Sequence, residues 1–152
     1  MTEIQEKSIL NALTICVSGP LIFIIMPLMD AGSLHSIISF KYPSGIKDEN
    51  IIATILIEIL NAIKTLNEHD LFHRDIKAAN ILLSMDGTIR LGDFGVSSIL
   101  KCGARRNSLV GSYCWMAPEV IEQEGYDTKV YKSLILFLGG YMVSGDNCDR
   151  NS

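Results

Sequence analysis

Two short polar runs hold the residues able to do chemistry, His73-Arg74-Asp75-Ile76-Lys77-Ala78-Ala79-Asn80 and Asp93-Phe94-Gly95. Between them lie Ile81-Leu82-Leu83 and Ile89-Arg90-Leu91, joined by Ser84-Met85-Asp86-Gly87-Thr88. An Asp-Gly pair in a short loop between apolar runs predicts a β-hairpin. Closing that hairpin puts Asn80 and Asp93 at neighbouring strand ends. An amide oxygen and a carboxylate there form a hard oxygen site suited to Mg2+, which completes its shell with water and phosphate oxygens. Lys77 follows Asp75 by two residues, so in an extended loop both side chains point to one side. The carboxylate can then accept a hydroxyl proton while the ammonium neutralises charge on a transferring phosphoryl group. Metal ligands, a base and a cation are what phosphoryl transfer requires. His73 and Phe94 read as packing and orienting residues.

These residues need a scaffold, and the apolar pattern outlines one. From Asp48 to Glu68 the polar residues Thr54, Glu58, Asn61, Thr65 and Glu68 recur at helical spacing. Ile52, Ile55, Ile59, Leu60, Ile63 and Leu66 fall on the opposite, core-facing side. Ser8 to Met29 is uncharged and long enough by count to span a bilayer. Asn11, Thr14, Ser18 and Pro27 interrupt it, however, and MTEIQEK ahead of it lacks a basic signal region. Gly19-Pro20 divides the stretch into LTICVS and LIFIIM, which are expected to form two buried antiparallel strands and no membrane span. Asp30-Ala31-Gly32-Ser33 is a turn that caps a short helix from Leu34 to Phe40, broken by Lys41-Tyr42-Pro43-Ser44-Gly45.

The chain has 152 residues and a mass of 16.8 kDa, which suits one domain. Thirteen basic against seventeen acidic residues give a net charge of −4, which argues against nucleic-acid partners and polybasic membrane binding. Hydrophobic residues make up 48% and the mean hydropathy is +0.28. Those values imply either a rich core or surface that something else covers. Cys16, Cys102, Cys114 and Cys148 form no CxxC pair. Neither a zinc site nor a disulfide framework is indicated, and a reduced cytoplasmic setting is expected.

HRDIKAANILL, DFG and Ala117-Pro118-Glu119, in this order and spacing, match the protein-kinase signature set. Residues 8 to about 130 resemble a eukaryotic protein kinase, from the fourth small-lobe strand to just past the activation segment. Lys77 and the run from Gly111 to Glu119 resemble Ser/Thr kinases of the germinal-centre group. The Asp48–Leu56 stretch and Cys114-Trp115-Met116 point to the Fray/SPAK oxidative-stress-responsive branch. The resemblance implies an α+β fold, mostly the helical large lobe with two small-lobe strands. Residues 8–29 would be strands and hinge, 30–130 large lobe, and 131–152 a divergent tail. It implies ATP and Mg2+ as cofactors and protein hydroxyls as substrate. Asp75 would be the base, Lys77 the phosphate-contacting lysine, and Asn80 and Asp93 the Mg2+ ligands. Met26 would back the adenine pocket, with the Pro27 carbonyl and Met29 amide as hinge contacts and Leu82 as its floor. Ser108 matches the activating phosphosite, acted on by an upstream kinase, with Arg74, Arg105 and Arg106 able to pair with its phosphate. Ser112 stands where a threonine usually bridges to the catalytic loop.

No glycine-rich loop occurs in these residues, and Lys7 lies too close to the fourth strand to be the small-lobe lysine. Tyr131 and Ser133 stand where the family has an Asp and a Trp, and the large-lobe helix that usually supplies an arginine to Glu119 is not among these residues. Losing one preorganised electrostatic contact costs about 3 kcal/mol, or roughly a hundredfold in rate. Very weak or no catalysis is therefore expected of these 152 residues. The alternatives are a non-catalytic, kinase-like interaction protein or a truncated gene product.

Overall fold

The computed structural model of the chain describes residues 6–94, 98–99 and 130–145, with the backbone alone at 98–99 and 130–134. Its strands are β1 (Thr14–Ser18), β2 (Leu21–Ile25), β3 (Gly32–Ser33), β4 (Leu71–Phe72), β5 (Ile81–Leu83), β6 (Ile89–Leu91) and β7 (Ser98–Ile99). Its helices are α1 (Leu34–Lys41), α2 (Glu49–Glu68) and α3 (Val130–Ser144), with a 3-10 turn at Ala78–Asn80. The arrangement is α+β.

β1 and β2 pair antiparallel from Thr14↔Ile25 to Ser18↔Leu21. Gly19 begins the two-residue loop at φ 57°. The proline ring after it fixes φ at roughly −65°, a combination that matches the twist of the strands. The expected burial is not found. Every residue of both strands is exposed, with Val17 at 73% and Ile22 at 68%. β-branched side chains favour the extended backbone, but burial needs a second layer, and among the described residues none covers either face of this ribbon.

α1 and α2 both begin where a side-chain oxygen caps them. Ser33 Oγ accepts from the Ser36 amide at 3.1 Å, and Asp48 Oδ1 accepts from the Asn50 amide at 2.9 Å. α1 stops at Tyr42, whose amide donates to the Ile38 carbonyl, just ahead of Pro43, which disfavours helix in the residue before it. α2 buries Ile55, Ile59, Ala62, Ile63 and Leu66. At about 1.5–3 kcal/mol for each large side chain, this stripe is the principal source of the helix's stability. Leu60, expected on that stripe, is 48% exposed, because it lies about 100° round the helix from Ile59. Two polar positions are covered instead. Ser8 Oγ donates to Glu58 Oε2 at 2.5 Å, and Thr65 Oγ1 donates to Glu6 Oε2 at 3.4 Å. The chain at residues 8–10 then runs beside β6, with the Leu91 amide donating to the Ser8 carbonyl and the Leu10 amide to the Leu91 carbonyl.

α3 closes the core with Leu138, Tyr141 and Met142. Its last turn docks on the loop between α1 and α2, where the Ile46 amide donates to the Met142 carbonyl at 2.7 Å. Backbone meets backbone here. Gly45 has φ 79°, and a Cβ on it would collide with the Val143 carbonyl, so only glycine fits. Among the described residues, no helix is long and apolar enough to cross a membrane.

Candidate active site

The site is built where α2, β5 and β6 end. Asp70, at positive φ, turns the chain out of α2 into β4, and His73 follows with no exposed surface. The Asp75 amide lies 3.3 Å from His73 Nδ1. An amide N–H can only donate, so that nitrogen is the acceptor. The proton therefore sits on Nε2, which donates to the Gly92 carbonyl at 2.8 Å. Burial pushes the His73 pKa below its ordinary value, against the opposing pull of the Gly92 carbonyl and of Asp75 and Asp93, because an imidazolium is poorly solvated there. The imidazole and the Phe94 ring meet in an edge-to-face pair, with centroids 4.7 Å apart and planes inclined at 62°, a geometry aromatic pairs favour. The two rings thus pack on each other, and His73 also braces the Gly92 carbonyl and the Asp75 amide.

Arg74 holds φ 67°. That left-handed conformation costs a non-glycine residue about 1–2 kcal/mol. The reversal carries the chain from buried His73 to half-buried Asp75. Lys77 is extended, and its Nζ lies 2.9 Å from Asp75 Oδ2. The 3-10 turn, closed by the Asn80 amide donating to the Lys77 carbonyl, swings Asn80 back. Asn80 Nδ2 donates to the Asp75 carbonyl at 2.7 Å and to Asp75 Oδ2 at 3.0 Å. Asp75, Lys77 and Asn80 therefore form one connected group.

The hairpin delivers the fourth residue. β5 and β6 pair as Ile81↔Leu91, Leu82↔Arg90 and Leu83↔Ile89, and the Gly92 amide donates to the Asn80 carbonyl at 2.8 Å. Asp93, also at positive φ, follows directly and is exposed. The donor set fits Mg2+: Asn80 commits its amide nitrogen to Asp75, leaving Oδ1 as its acceptor, and Asp93 adds a carboxylate. Asn80 and Asp93 would hold such an ion with water and phosphate oxygens as its remaining ligands. Among the described residues, no group of three His, Cys, Asp or Glu side chains is placed to hold a metal by itself.

Met26, Pro27 and Met29 follow β2, and Met26 is 47% exposed. The chain then bends through Gly32, whose amide donates to the Met29 carbonyl, and β3 lies against β5 with Ser33 opposite Leu82. This pairing, unforeseen from sequence, sets the segment after Met29 beside the strand that carries Leu82. Ser108, Ser112, Arg105 and Arg106 lie outside the described residues. Gly92 was missed altogether. It ties His73 to Asn80 through its backbone, and a backbone role leaves no side-chain signal.

The protein kinase domain family model matches residues 1–131. The chain belongs to the protein kinase family. It is 46% identical over 111 residues to serine/threonine-protein kinase fray2 of Dictyostelium discoideum, covering 72% of this chain and 11% of that one. Germinal center kinase 3 of Caenorhabditis elegans is 37% identical over 145 residues, covering 85% of this chain and 24% of its own. Serine/threonine-protein kinase ste20 of Aspergillus oryzae is 39% identical over 131 residues, covering 86% of this chain and 15% of its own. The chain is thus a partial Ser/Thr protein kinase domain, spanning less than a quarter of the length of these relatives.

Proposed function

We propose that the chain carries the phosphoryl-transfer site of a cytoplasmic serine/threonine protein kinase, moving the γ-phosphoryl group of ATP to a hydroxyl of a protein substrate. The carrying observation is the Asp75 carboxylate held by Lys77 at 2.9 Å and by Asn80 at 3.0 Å. Asp75 orients the substrate hydroxyl and accepts its proton. Lys77 stabilises negative charge developing on the transferred group. Asn80 orients Asp75 through its Nδ2 and, with the Asp93 carboxylate, would hold Mg2+. A bound Mg2+ neutralises phosphate charge and fixes phosphate geometry. Met26, the Pro27 carbonyl, the Met29 amide and Leu82 take the adenine ring. Phosphorylation of Ser108 by an upstream kinase, with Arg74 as a partner for the phosphate and Ser112 standing in for the family's bridging threonine, is the regulatory part of this reading.

The test is binding and transfer measured side by side on the purified chain. Binding of ATP that requires Mg2+, survives Asp75→Asn and is lost in Asp93→Ala is the expected result. Transfer to a generic protein substrate is expected to be very weak and absent in Asp75→Asn. ATP binding indifferent to both Mg2+ and Asp93 would sink the reading. The exposed apolar β1–β2 ribbon favours a second reading, a kinase-like chain that binds another protein without catalysis. Stoichiometric co-purification with a kinase, together with no ATP binding, separates it from the first.

A further inference from the structure

Asp30 lies just beyond the segment proposed to hold adenine and outside the set of residues proposed to touch it. Its Oδ1 accepts from Ser84 Oγ at 2.9 Å and from the Met85 amide at 2.8 Å, joining parts of the chain far apart in sequence. Ser84 and Met85 open the turn between β5 and β6. Within that turn the Ser84 amide donates to the Thr88 carbonyl, the Gly87 amide to the Ser84 carbonyl and the Thr88 amide to Asp86 Oδ1. The Met85 amide is the donor that Asp30 takes up. These bonds hold the Asp30 pKa below its ordinary value, so the group is an ionised, acceptor-only carboxylate at neutral pH. Beside it the Ala31 amide donates to the Leu83 carbonyl at 3.1 Å, and Gly32 and Ser33 pair with Leu83 and Leu82. Asp30 is thus the outermost tie in a continuous run joining residues 30–33 to β5.

We infer that Asp30 is a positioning residue that fixes the spacing between the hinge backbone at residues 27–29 and Leu82, so that an adenine ring fits between them. The inference rests on the nucleotide reading of Met26, Pro27, Met29 and Leu82. Leu28 is 83% exposed and Pro27 and Met29 are only half-buried, so packing holds this stretch in part and its tie to β5 supplies the rest. A hinge ordered before binding loses less freedom when the ring arrives, and small misplacements of a binding group are costly.

The experiment titrates the full chain with Mg2+ and a fluorescent ATP analogue, and records melting temperature in parallel. Asp30→Ala is expected to weaken binding about tenfold and Ser84→Ala, which removes one of the two bonds, about threefold. Asp30→Asn keeps the Oδ1 acceptor and is expected to bind within about twofold of the parent chain. Melting temperatures should stay within about 2 °C, as for exposed side chains generally. Unchanged affinity in Asp30→Ala overturns the inference and leaves the nucleotide reading standing. Weaker binding accompanied by a proportionate loss of melting temperature reduces Asp30 to a fold contact and also overturns it. If the parent chain binds no analogue, the nucleotide reading itself fails and the inference falls with it.

Discussion

Replacing His73 by Phe keeps a ring of similar size and removes both polar atoms, so it isolates what the imidazole's hydrogen bonds contribute. In the variant the Gly92 carbonyl, in a buried residue, and the Asp75 amide, in a half-buried one, both lose a partner. The bond to the Asp75 amide is the longer of the two, at 3.3 Å. An unsatisfied buried group costs about 1–3 kcal/mol, and with the longer bond at the low end the two together cost about 2–4 kcal/mol. For a chain of this size that lowers the melting temperature by roughly 5–15 °C. A pH signature separates this loss from poor packing. Burial holds the His73 pKa below its ordinary 6.5, so between the two values the unfolded chain binds the proton and the folded chain does not. The stability contributed is therefore complete above pH 6.5 and declines as the pH falls below it. The decline is at most about 1.4 kcal/mol per pH unit. Asp30 and Asp86 are held below the ordinary aspartate value, so their losses belong to still lower pH and do not overlap. Thermal unfolding followed by circular dichroism from pH 8 to pH 5 should show the parent chain losing more stability on acidification than His73→Phe. Parallel pH profiles, or a melting temperature within about 2 °C at neutral pH, would refute the assignment of His73 as a neutral hydrogen-bonding brace.

Asn80→Ala removes both bonds to Asp75 and one proposed metal donor. Calorimetry should show Mg2+-dependent ATP binding weakened at least about tenfold, with about 1–2 kcal/mol of stability lost. Gly45→Ala puts a Cβ against the Val143 carbonyl at a left-handed φ. Urea unfolding should register a loss of about 3 kcal/mol or more as α3 is pushed off its docking loop. Changing the cross-strand pair Val17 and Ile22 to threonines keeps β-branching but removes exposed apolar surface. Dynamic light scattering should show less self-association, and stability should stay within about 1 kcal/mol.

What the sequence made legible was local, and the reason is physical. Ser33, Gly19-Pro20 and Asp86-Gly87 each act on backbone within a few residues, so their chemistry predicts a cap or a turn without knowledge of the rest of the chain. The pairing of Asp75 with Lys77 follows from two-residue spacing in extended backbone, and the backbone bond from Gly92, the residue before Asp93, to Asn80 follows from closing a single hairpin. The exposure of β1 and β2 was illegible, because strand-forming residues specify an extended backbone and burial is a property of whatever lies across from it. The long-range polar contacts were illegible for a related reason. Ser8 with Glu58, Asp30 with Ser84, and His35 Nδ1 with the Tyr141 hydroxyl at 3.0 Å join side chains that no periodicity links. Such contacts nevertheless set the frame. Gly92 receives the His73 proton donor on its carbonyl and gives its amide to the Asn80 carbonyl, so both polar runs hang from one residue with no side chain. Spacing could nominate the candidate groups, whereas their mutual placement is decided by backbone atoms whose identity every residue shares.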